Sequence, residues 1–471
     1  MNRATGLATL ILLAFVSPAR AGGGVSPEVA GKLYDRVTPS LVAVKYTWEN
    51  ELSRQELTGA GIVVSDDGLV MTSLSLFDPR VVLIPDEQMK EFKIIIPSQE
   101  ADPQEIDAVF EGRDERTNMA FVRPKESGKH PWKPLKFEEV PVRVGDPVMS
   151  VGLLPEAAGY KSYYMESFVS TTLRGEMPMV LVGGGGLCAT GSPVFNADGK
   201  AIGIVGAQTG QSIFLQQQRS SNALAAVQNP PKFFTPTRDF QQGLEDPPTA
   251  EKPVPLPWIG VPQMQGLNKD LAEVYGLTNQ PAVQIAAVIP GAPAEGAGLK
   301  QGDVVVKMNG EPLERGDEPD ELPVIFRRKL LRMKPGQEVT LSVIRKRGEP
   351  QQDIKIKLEE QPKRPYLAKR FFAEDLGFAV REMVFVDAYA RRLPQDAKGV
   401  IVALMRRQSA AQSAKLEQED LITQLNGQPV ESLEQFKEVY QAARKDKPKG
   451  AVVLVVRREG QDDTVRIEPP Q

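Results

Sequence analysis

Three side chains that can act as nucleophiles stand close together in the stretch GLCATGSPVFNADGK, which begins at Gly186. They are Cys188, Thr190 and Ser192. A hydroxyl or thiol attacks a carbonyl carbon efficiently only when a neighbouring base removes its proton. The chain has 1 histidine, His130, so a single imidazole is available for that role. The sequence therefore supplies candidate nucleophiles in one turn but no base beside them.

Three other ways to activate a nucleophile remain open from the residues alone. Lys45 or Lys200 could serve as the base of a Ser-Lys or Thr-Lys dyad, although no spacing argues for it. A reactive cysteine needs a nearby cation or base, and VGGGGLCATG offers none, which favours a small buried residue at Cys188. His130 lies in the polar, proline-rich KESGKHPWKP, which is typical of a surface connection.

No Lys-Ser/Thr follows the glycines at 183–186, so they indicate a loop and not a phosphate cradle.

The elements around these residues read as short β-strands. From Val42 to about Ala207, β-branched segments alternate with glycine and aspartate turns such as Asp66-Asp67-Gly68 and Asn196-Ala197-Asp198-Gly199. Regular short strands with turns between them predict an antiparallel sandwich or barrel, so the first domain is expected to be mainly β. The expected strands are LVAVKY, GIVVSDDGLVMTS, VVLIP, FKIIIP, MAFVRP, DPVMSVG, FVSTTL, MVLVG and KAIGIVGAQ.

The second half of the chain contains a linker and a repeat. Residues 229–255 are rich in proline, which predicts a semi-rigid connection. Beyond it, PAEGAGLKQGDVVVKMNGEPL is echoed by AAQSAKLEQEDLITQLNGQPV, and Asn309 and Asn426 are 117 positions apart, as are Asp303 and Asp420. Two similar modules of about a hundred residues are therefore expected.

Composition narrows the class of protein. The 57 basic and 61 acidic residues give a net charge of -4, so no basic surface for nucleic acid is expected. Residues 1–21 have an arginine, a short apolar run and an A-x-A site, which predicts a cleaved secretory signal, with an uncleaved anchor as the alternative. One cysteine and one histidine cannot build a zinc cluster, so neither a metal nor another cofactor is predicted.

Four motifs resemble one family. TGAGIVVSDDGLVMTS, GDPVMSVG and SPVFNADGKAIGI are similar to motifs of the HtrA/Deg-type trypsin-like serine proteases, and IPGAPAEGAGLKQGDVVVKMNG resembles a PDZ signature. The resemblance spans about Val37 to Ile467 and implies a mainly β, multidomain chain with a trypsin-like double β-barrel followed by two PDZ domains. The implied boundaries are 1–21 for the signal peptide, 28–228 for the barrel domain, 229–255 for the linker, 256–361 for the first PDZ domain and 365–469 for the second.

The resemblance also places the family's catalytic triad, and all three positions differ here. Ser75 stands at the histidine position, Asn118 at the aspartate position and Thr190 at the serine position. A serine cannot take a proton near neutral pH, and a neutral amide cannot stabilise an imidazolium. The implied oxyanion hole is formed by the backbone N–H groups of Cys188 and Thr190, where the loss of a glycine makes the required turn less accessible.

The PDZ likeness implies peptide binding by β-augmentation, in which a loop holds the peptide's terminal carboxylate beside a sheet edge. In the second module Lys415 and Glu419 replace the glycines that match Gly298 and Gly302, so its fold is expected but its ligand binding is in question, with a scaffold or oligomer-contact role as the competitor. The residues expected to bind peptide are Trp258, Ile259, Gly260 and Val261 in the first module and Leu376, Gly377, Phe378 and Ala379 in the second.

The sequence thus predicts an exported, periplasmic or extracellular pseudoprotease that holds peptides or exposed hydrophobic C-termini as a scaffold, chaperone-like holder or regulator. An active homologue is a candidate partner, and the family implies a homotrimer. The alternative is an active serine-type endopeptidase of envelope protein quality control that uses Thr190 or Ser192 with a non-standard base. A purely structural envelope protein is a third class.

Overall fold

The structure is a computed structural model. It describes residues 25–51, 53–77, 84–98, 102–126, 128, 130–173, 179–206, 232–249, 252–277, 280–316, 319–394 and 396–469. The predicted signal peptide, residues 1–21, and most of the predicted strand VVLIP lie outside these ranges. Within them, no helix has the length and apolar character that crossing a bilayer requires.

The first barrel follows helix α1 (Pro27–Val37), which the Ser26 side chain caps and which buries Leu33 and Val37 against the barrels. Six antiparallel strands then close on one another. Tyr46, Phe77 and Phe92 fill its interior, with the Tyr46 and Phe92 rings stacked at 5.3 Å. The strands are β1 (Leu41–Glu49), β2 (Arg54–Val63), β3 (Val70–Ser73), β4 (Met89–Ile96), β5 (Gln104–Asp114) and β6 (Met119–Pro124).

The second barrel is also closed and packs against the first through a shared apolar cluster that includes Met71, Phe121, Met149 and Phe195. Its strands are β7 (Pro147–Leu153), β8 (Ser162–Leu173), β9 (Met179–Gly184), β10 (Pro193–Asn196), β11 (Ala201–Val205) and β12 (Phe233–Pro236). Two six-stranded barrels followed by PDZ modules confirm the predicted mainly β fold class.

The segment predicted as a linker, 229–255, is in part a piece of the barrel, and that prediction was wrong there. Strand β12 pairs with both β11 and β9 and closes the second barrel, and helix α2 (Gln241–Glu245) follows it. Phe233 and Phe234 are buried. Pro236 is tolerated because it ends the strand, where its missing N–H matters least. The sequence-based prediction missed this strand because prolines surround its two phenylalanines.

The first PDZ module has a six-stranded antiparallel sheet in which β14 stands at one end of the strand order. A separate two-stranded ribbon joins its first and last short strands. The elements are β13 (Pro257–Trp258), β14 (Gln263–Gly266), α3 (Lys269–Val274), β15 (Val283–Ala287), α4 (Pro293–Gly296), β16 (Val304–Met308), β17 (Glu311–Pro312), α5 (Leu322–Leu331), β18 (Glu338–Ile344), β19 (Gln352–Lys357) and β20 (Glu359–Glu360).

The second PDZ module has a seven-stranded sheet, and here a strand, β21, stands outside β22. The elements are β21 (Arg370–Ala373), β22 (Phe378–Glu382), α6 (Phe385–Ala390), β23 (Val400–Met405), α7 (Ala410–Ser413), β24 (Leu421–Leu425), β25 (Gln428–Pro429), α8 (Leu433–Asp446), β26 (Val452–Arg458) and β27 (Gln461–Ile467).

The sequence repeat has a structural cause. Asn309 and Asn426 both adopt positive φ, at 54° and 50°, in the turns that directly follow β16 and β24. The Asn309 side chain accepts the N–H of Thr340 at 2.9 Å, and the Asn426 side chain accepts that of Val453 at 2.8 Å. Asparagine suits this position because it tolerates the left-handed region and its amide ties the turn to the neighbouring strand.

Candidate functional site

A cavity of about 590 Å³ lies between the two barrels and is lined by Ser75 and Thr190, two of the three positions predicted to match a triad. The third, Asn118, is outside that lining. The cavity also exposes groups that the sequence did not single out, because no local motif marks them. These are Glu56, Thr58, Tyr160 and Glu156, together with Leu76 and Leu153 to Pro155.

Ser75 is placed by a short 3-10 turn, Leu74–Phe77, that follows β3 directly. Its hydroxyl lies 2.7 Å from that of Ser73, and its backbone N–H points to the same Ser73 oxygen at 3.3 Å. The two hydroxyls form a hydrogen bond, but a serine hydroxyl is too weak a base to accept a proton from a nucleophile near neutral pH. The position therefore lacks acid–base capacity.

Asn118 ends the turn between β5 and β6 with φ at 57°, a conformation that asparagine tolerates. Its carbonyl accepts the N–H of Leu74 at 2.9 Å, so its backbone holds the start of the Ser75 turn. The buried carboxylate nearest along the chain, Asp114, accepts hydrogen bonds from Nε and Nη2 of Arg116, both at 3.0 Å. The structure thus brings the Asn118 backbone to the Ser75 segment.

Thr190 sits in the turn before β10, half-buried, and its hydroxyl points to the Gly206 carbonyl at 3.4 Å. Gly191 follows with φ at 88°, and a Cβ there would meet the carbonyl of Ala60 in β2 at 2.9 Å. The close approach of this turn to the first barrel therefore requires glycine.

Cys188 is fully buried behind the cavity. Its backbone N–H donates to the Ser150 hydroxyl at 2.9 Å, and its thiol donates to the Ser150 carbonyl at 3.4 Å. Burial raises the pKa of the Cys188 thiol. One of the two predicted oxyanion N–H groups is thus engaged inside the second barrel, and the thiol is kept protonated.

Ser192 is also directed into the protein. It is 1 % exposed, and its hydroxyl would lie 2.6 Å from a Cβ placed at Gly152 in β7. The side chain is therefore packed under the strand and is not part of the cavity lining. Attack by this hydroxyl on a peptide in the cavity would require the turn to rearrange.

The basic residues named from the sequence are paired or distant. Lys45 lies 3.1 Å from Glu56 and 3.7 Å from Glu156 at the rim of the cavity, and its hydrogen bond to Glu56 raises the pKa of the Lys45 ammonium. Lys200 lies 2.7 Å from Glu138, whose hydrogen bond raises the Lys200 pKa. Both lysines are therefore protonated at neutral pH and cannot act as bases.

His130 is not in the cavity lining. Its ring packs against Trp132, with the ring centroids 4.7 Å apart, and burial lowers the pKa of the imidazole. Trp132 in turn covers Gly68 in the β2–β3 turn, where a Cβ would lie 2.5 Å from the indole ring. The histidine is thus part of a small packing cluster on the first barrel.

A second candidate site is the groove of the first PDZ module, with a volume of about 280 Å³. It lies between the loop Trp258 to Val261 and helix α5, which contributes Phe326 and Leu330. Arg364 also lines the groove, and its guanidinium pairs with Glu115 of the first barrel. The apolar walls suit a peptide with a hydrophobic C-terminal residue.

Gly260 allows the tight backbone conformation of this loop. Its φ is 78°, and a Cβ at this position would lie 2.1 Å from the Ala292 Cβ. The loop carbonyls are fixed by the N–H groups of Ile289 and Ala294, both at 2.9 Å. Because the carbonyls point inward, the loop's amide groups face the other way, as a carboxylate-binding loop requires.

The corresponding loop of the second module has the same backbone bonds but not the same surroundings. The Leu376 and Gly377 carbonyls accept the N–H groups of Ala411 and Arg406 at 3.1 and 2.8 Å. However, strand β21 runs antiparallel along β22, where the first module has no strand among its described residues.

Comparisons with known proteins agree with this architecture. The trypsin-like peptidase domain family matches residues 59–204, and the PDZ domain family matches residues 259–358 and 375–468. A "Probable periplasmic serine endoprotease DegP-like" of a Marinomonas strain is 27% identical over 421 residues, which cover 85% of this chain and 77% of that protein. The protein of the same description in Pseudomonas fulva is 25% identical over 465 residues, covering 93% and 86%. The chain has the HtrA/DegP-type architecture.

Solved structures agree on the fold of this HtrA-type chain. The HtrA-type protease AlgW with a tripeptide has a TM-score of 0.52 at 17% identity and is covered to 98%, with 71% of this chain matched. AlgW with a decapeptide has a TM-score of 0.50 at 17% identity and is covered to 99%, again with 71% of this chain matched.

Proposed function

We propose that this HtrA-type chain is a pseudoprotease that holds peptides or exposed protein C-termini through its first PDZ domain. The observation that carries the proposal is the surroundings of Thr190. Its hydroxyl points to a backbone carbonyl, the residue at the histidine position in the same cavity is Ser75, and the Cys188 N–H donates to Ser150. The nucleophile position therefore has a threonine, the base position has a serine, and one of the two oxyanion N–H groups is already hydrogen-bonded.

The size of the expected loss in turnover favours an inactive barrel domain. Removing one triad member costs on the order of 10⁴ to 10⁶ in turnover, and an intact oxyanion hole leaves about 10³ to 10⁴ over water. Here all three triad positions are substituted, and the N–H that would complete the oxyanion hole is used internally. The remaining acceleration is too small for peptide-bond cleavage on a biological timescale.

One observation favours an active endopeptidase as the second candidate. The cavity has a volume of about 590 Å³, and two carboxylates, Glu56 and Glu156, line it together with Thr190. A carboxylate can act as a general base when its environment raises its pKa. Both side chains are instead largely exposed, and the Lys45 ammonium lies 3.1 Å from Glu56 and 3.7 Å from Glu156, so both carboxylates already have a cationic partner.

The test is labelling with a fluorophosphonate together with cleavage of unfolded casein by the purified mature chain. We expect no labelling above that of a Thr190→Ala variant and no casein turnover. Labelling that disappears in Thr190→Ala or in Ser192→Ala would overturn the proposal, and its further loss in Glu56→Gln or Glu156→Gln would identify the base. An active DegP-type enzyme serves as the positive control.

The cysteine gives an independent prediction about the same turn. We expect iodoacetamide at pH 8 to modify Cys188 at least about 100-fold more slowly in the native chain than in urea, because the raised pKa lowers the thiolate fraction and burial blocks access. Mass spectrometry of the alkylated peptide measures both rates. Equal rates would mean that the turn opens readily and that the inward N–H bond is transient.

The cellular role follows from the same proposal. The relatives are described as periplasmic, which supports export of this chain to the periplasm after removal of the predicted signal peptide. There it would act as a scaffold, a chaperone-like holder or a regulator of an active homologue, assembled as a homotrimer. Light scattering of the mature chain tests the trimer, and affinity for peptides with hydrophobic C-termini separates holding from a purely structural role.

A further inference from the structure

The two PDZ modules differ at the one edge that a peptide would use. In the first, β14 stands at the end of the strand order, and within the described residues no strand pairs with its outer side. In the second, β22 has β21 outside it, joined in antiparallel register from Arg370 opposite Arg381 to Ala373 opposite Phe378. Antiparallel addition beside this strand is the mode by which PDZ domains take up a peptide.

The carboxylate-binding loop of the second module is occupied as well. The N–H groups of Leu376 and Gly377 donate to the carbonyl of Ala373 at 3.2 and 2.8 Å. These are the amides that would hold the terminal carboxylate of a ligand, and a carbonyl oxygen of the chain itself now takes that place. Gly377 keeps φ at 74°, so the loop conformation matches that of Gly260 in the first module.

The side chains of β21 fill the groove in the manner of a bound peptide. Ala373, at the loop, is 1 % exposed. Phe371, two residues earlier and on the same face, packs against helix α8, with its ring 5.6 Å from that of Tyr440 and 6.1 Å from that of Phe436. Phe372 points to the opposite face, where the Arg406 guanidinium lies 5.2 Å from its ring.

We infer that Arg370–Ala373 is an internal ligand of the second PDZ domain, which therefore takes no external peptide while this strand is in place. The sequence of this strand indicates which peptide the groove prefers. The preferred peptide has a small residue at the carboxylate-binding loop and an aromatic residue two positions before it. The inference deepens the proposed function, on which it rests for the idea that an open module binds peptide.

The first module shows why its own upstream segment does not do the same. Pro253, Pro255 and Pro257 precede its loop, and proline cannot donate to a strand ladder. That segment instead pairs briefly with β20, through Pro257 opposite Glu360. In the second module the corresponding residues are Arg-Phe-Phe-Ala, which retain every donor and have a high preference for strands.

The experiment uses the full mature chain with Gly260→Glu, which blocks the first module, and a fluorescent peptide that ends in Lys-Arg-Phe-Phe-Ala with a free carboxylate. We expect no measurable binding. Adding Phe371→Asp removes the aromatic anchor and should release the strand, raising affinity for the peptide at least tenfold. Phe372→Asp is the matched control: it changes the same strand on the face away from α8 and should leave the groove closed.

Hydrogen exchange of the unsubstituted chain gives a second readout that does not depend on the variant's folding. Added peptide should leave exchange of residues 376–382 unchanged, and slowing there would overturn the inference. Equal peptide binding with and without Phe371→Asp, in a chain whose α8 amides remain protected, would also overturn it. Failure of the proposed function shows separately, as absence of peptide protection at residues 258–264.

Discussion

A glutamate at Gly260 is expected to weaken binding of peptides with hydrophobic C-termini by at least a hundredfold. The position has φ of 78°, and any Cβ there would lie 2.1 Å from Ala292, so the loop must shift. The new carboxylate would also stand where the peptide's own carboxylate binds, and like charges repel strongly in a partly desolvated site. Fluorescence anisotropy with the mature chain measures the change in dissociation constant.

Gly298→Glu is the matched control for this substitution. Gly298 has φ of 89° in the same module, but nothing lies within 4 Å of a Cβ at that position. The control therefore imposes a similar left-handed strain of about 1 to 2 kcal/mol without touching the groove. We expect its affinity to stay within about threefold of the parent chain. Equal losses in the two variants would show that the loop's conformation does not govern binding.

Loss of Asp387 is expected to destabilise the second PDZ domain by about 3 kcal/mol, because it removes the buried partner of Arg381 and leaves that guanidinium with the more exposed carboxylate of Glu419, 3.2 Å away. Arg381 and Asp387 are each 4 % exposed in their side chains and make two hydrogen bonds, at 2.5 and 2.8 Å. Asp387 also accepts the N–H of Val384 at 2.8 Å, which caps helix α6. The Asp387→Ala change removes all three interactions.

Hydrogen exchange of the amides in β26 and α8 measures this free energy of opening for the second module alone, which a single melting temperature of a multidomain chain does not. Asp462→Ala is the control, since Asp462 pairs with Arg457 at 2.7 Å on the exposed surface of the same module. Exposed pairs add little stability, so this variant should exchange like the parent. Similar effects of the two substitutions would contradict the importance of burial.

The sequence predicted the large-scale organisation because its signals are periodic. Short β-branched segments with turns predicted an antiparallel sandwich or barrel, and the family resemblance implied two barrels. The 117-residue offset between Asn309 and Asn426 predicted the two modules. The prediction failed at Phe233–Pro236, where flanking prolines outweighed two phenylalanines, although those two residues close a barrel by pairing with strands distant in sequence. Such long-range pairing leaves no local pattern to read.

The candidate site was predictable by residue type and not by geometry. The family resemblance implied Ser75, Asn118 and Thr190, but the hydrogen bond from the Cys188 N–H to the Ser150 hydroxyl joins residues that are 38 positions apart. Likewise, the pairing of Lys45 with Glu56 and Glu156 arises only when the barrels meet. Strand β21 offered one unused signal, an aromatic pair directly before a PDZ loop.

The occupied edge of the second module sets the valency of the molecule. If only the first module binds peptide, as we propose, one chain cannot bind two C-termini of the same partner protein, and its two modules give no chelate effect. Avidity for unfolded or multimeric partner proteins would then require several chains in one oligomer. The number of accessible grooves would equal the number of chains in that oligomer and not the number of PDZ modules.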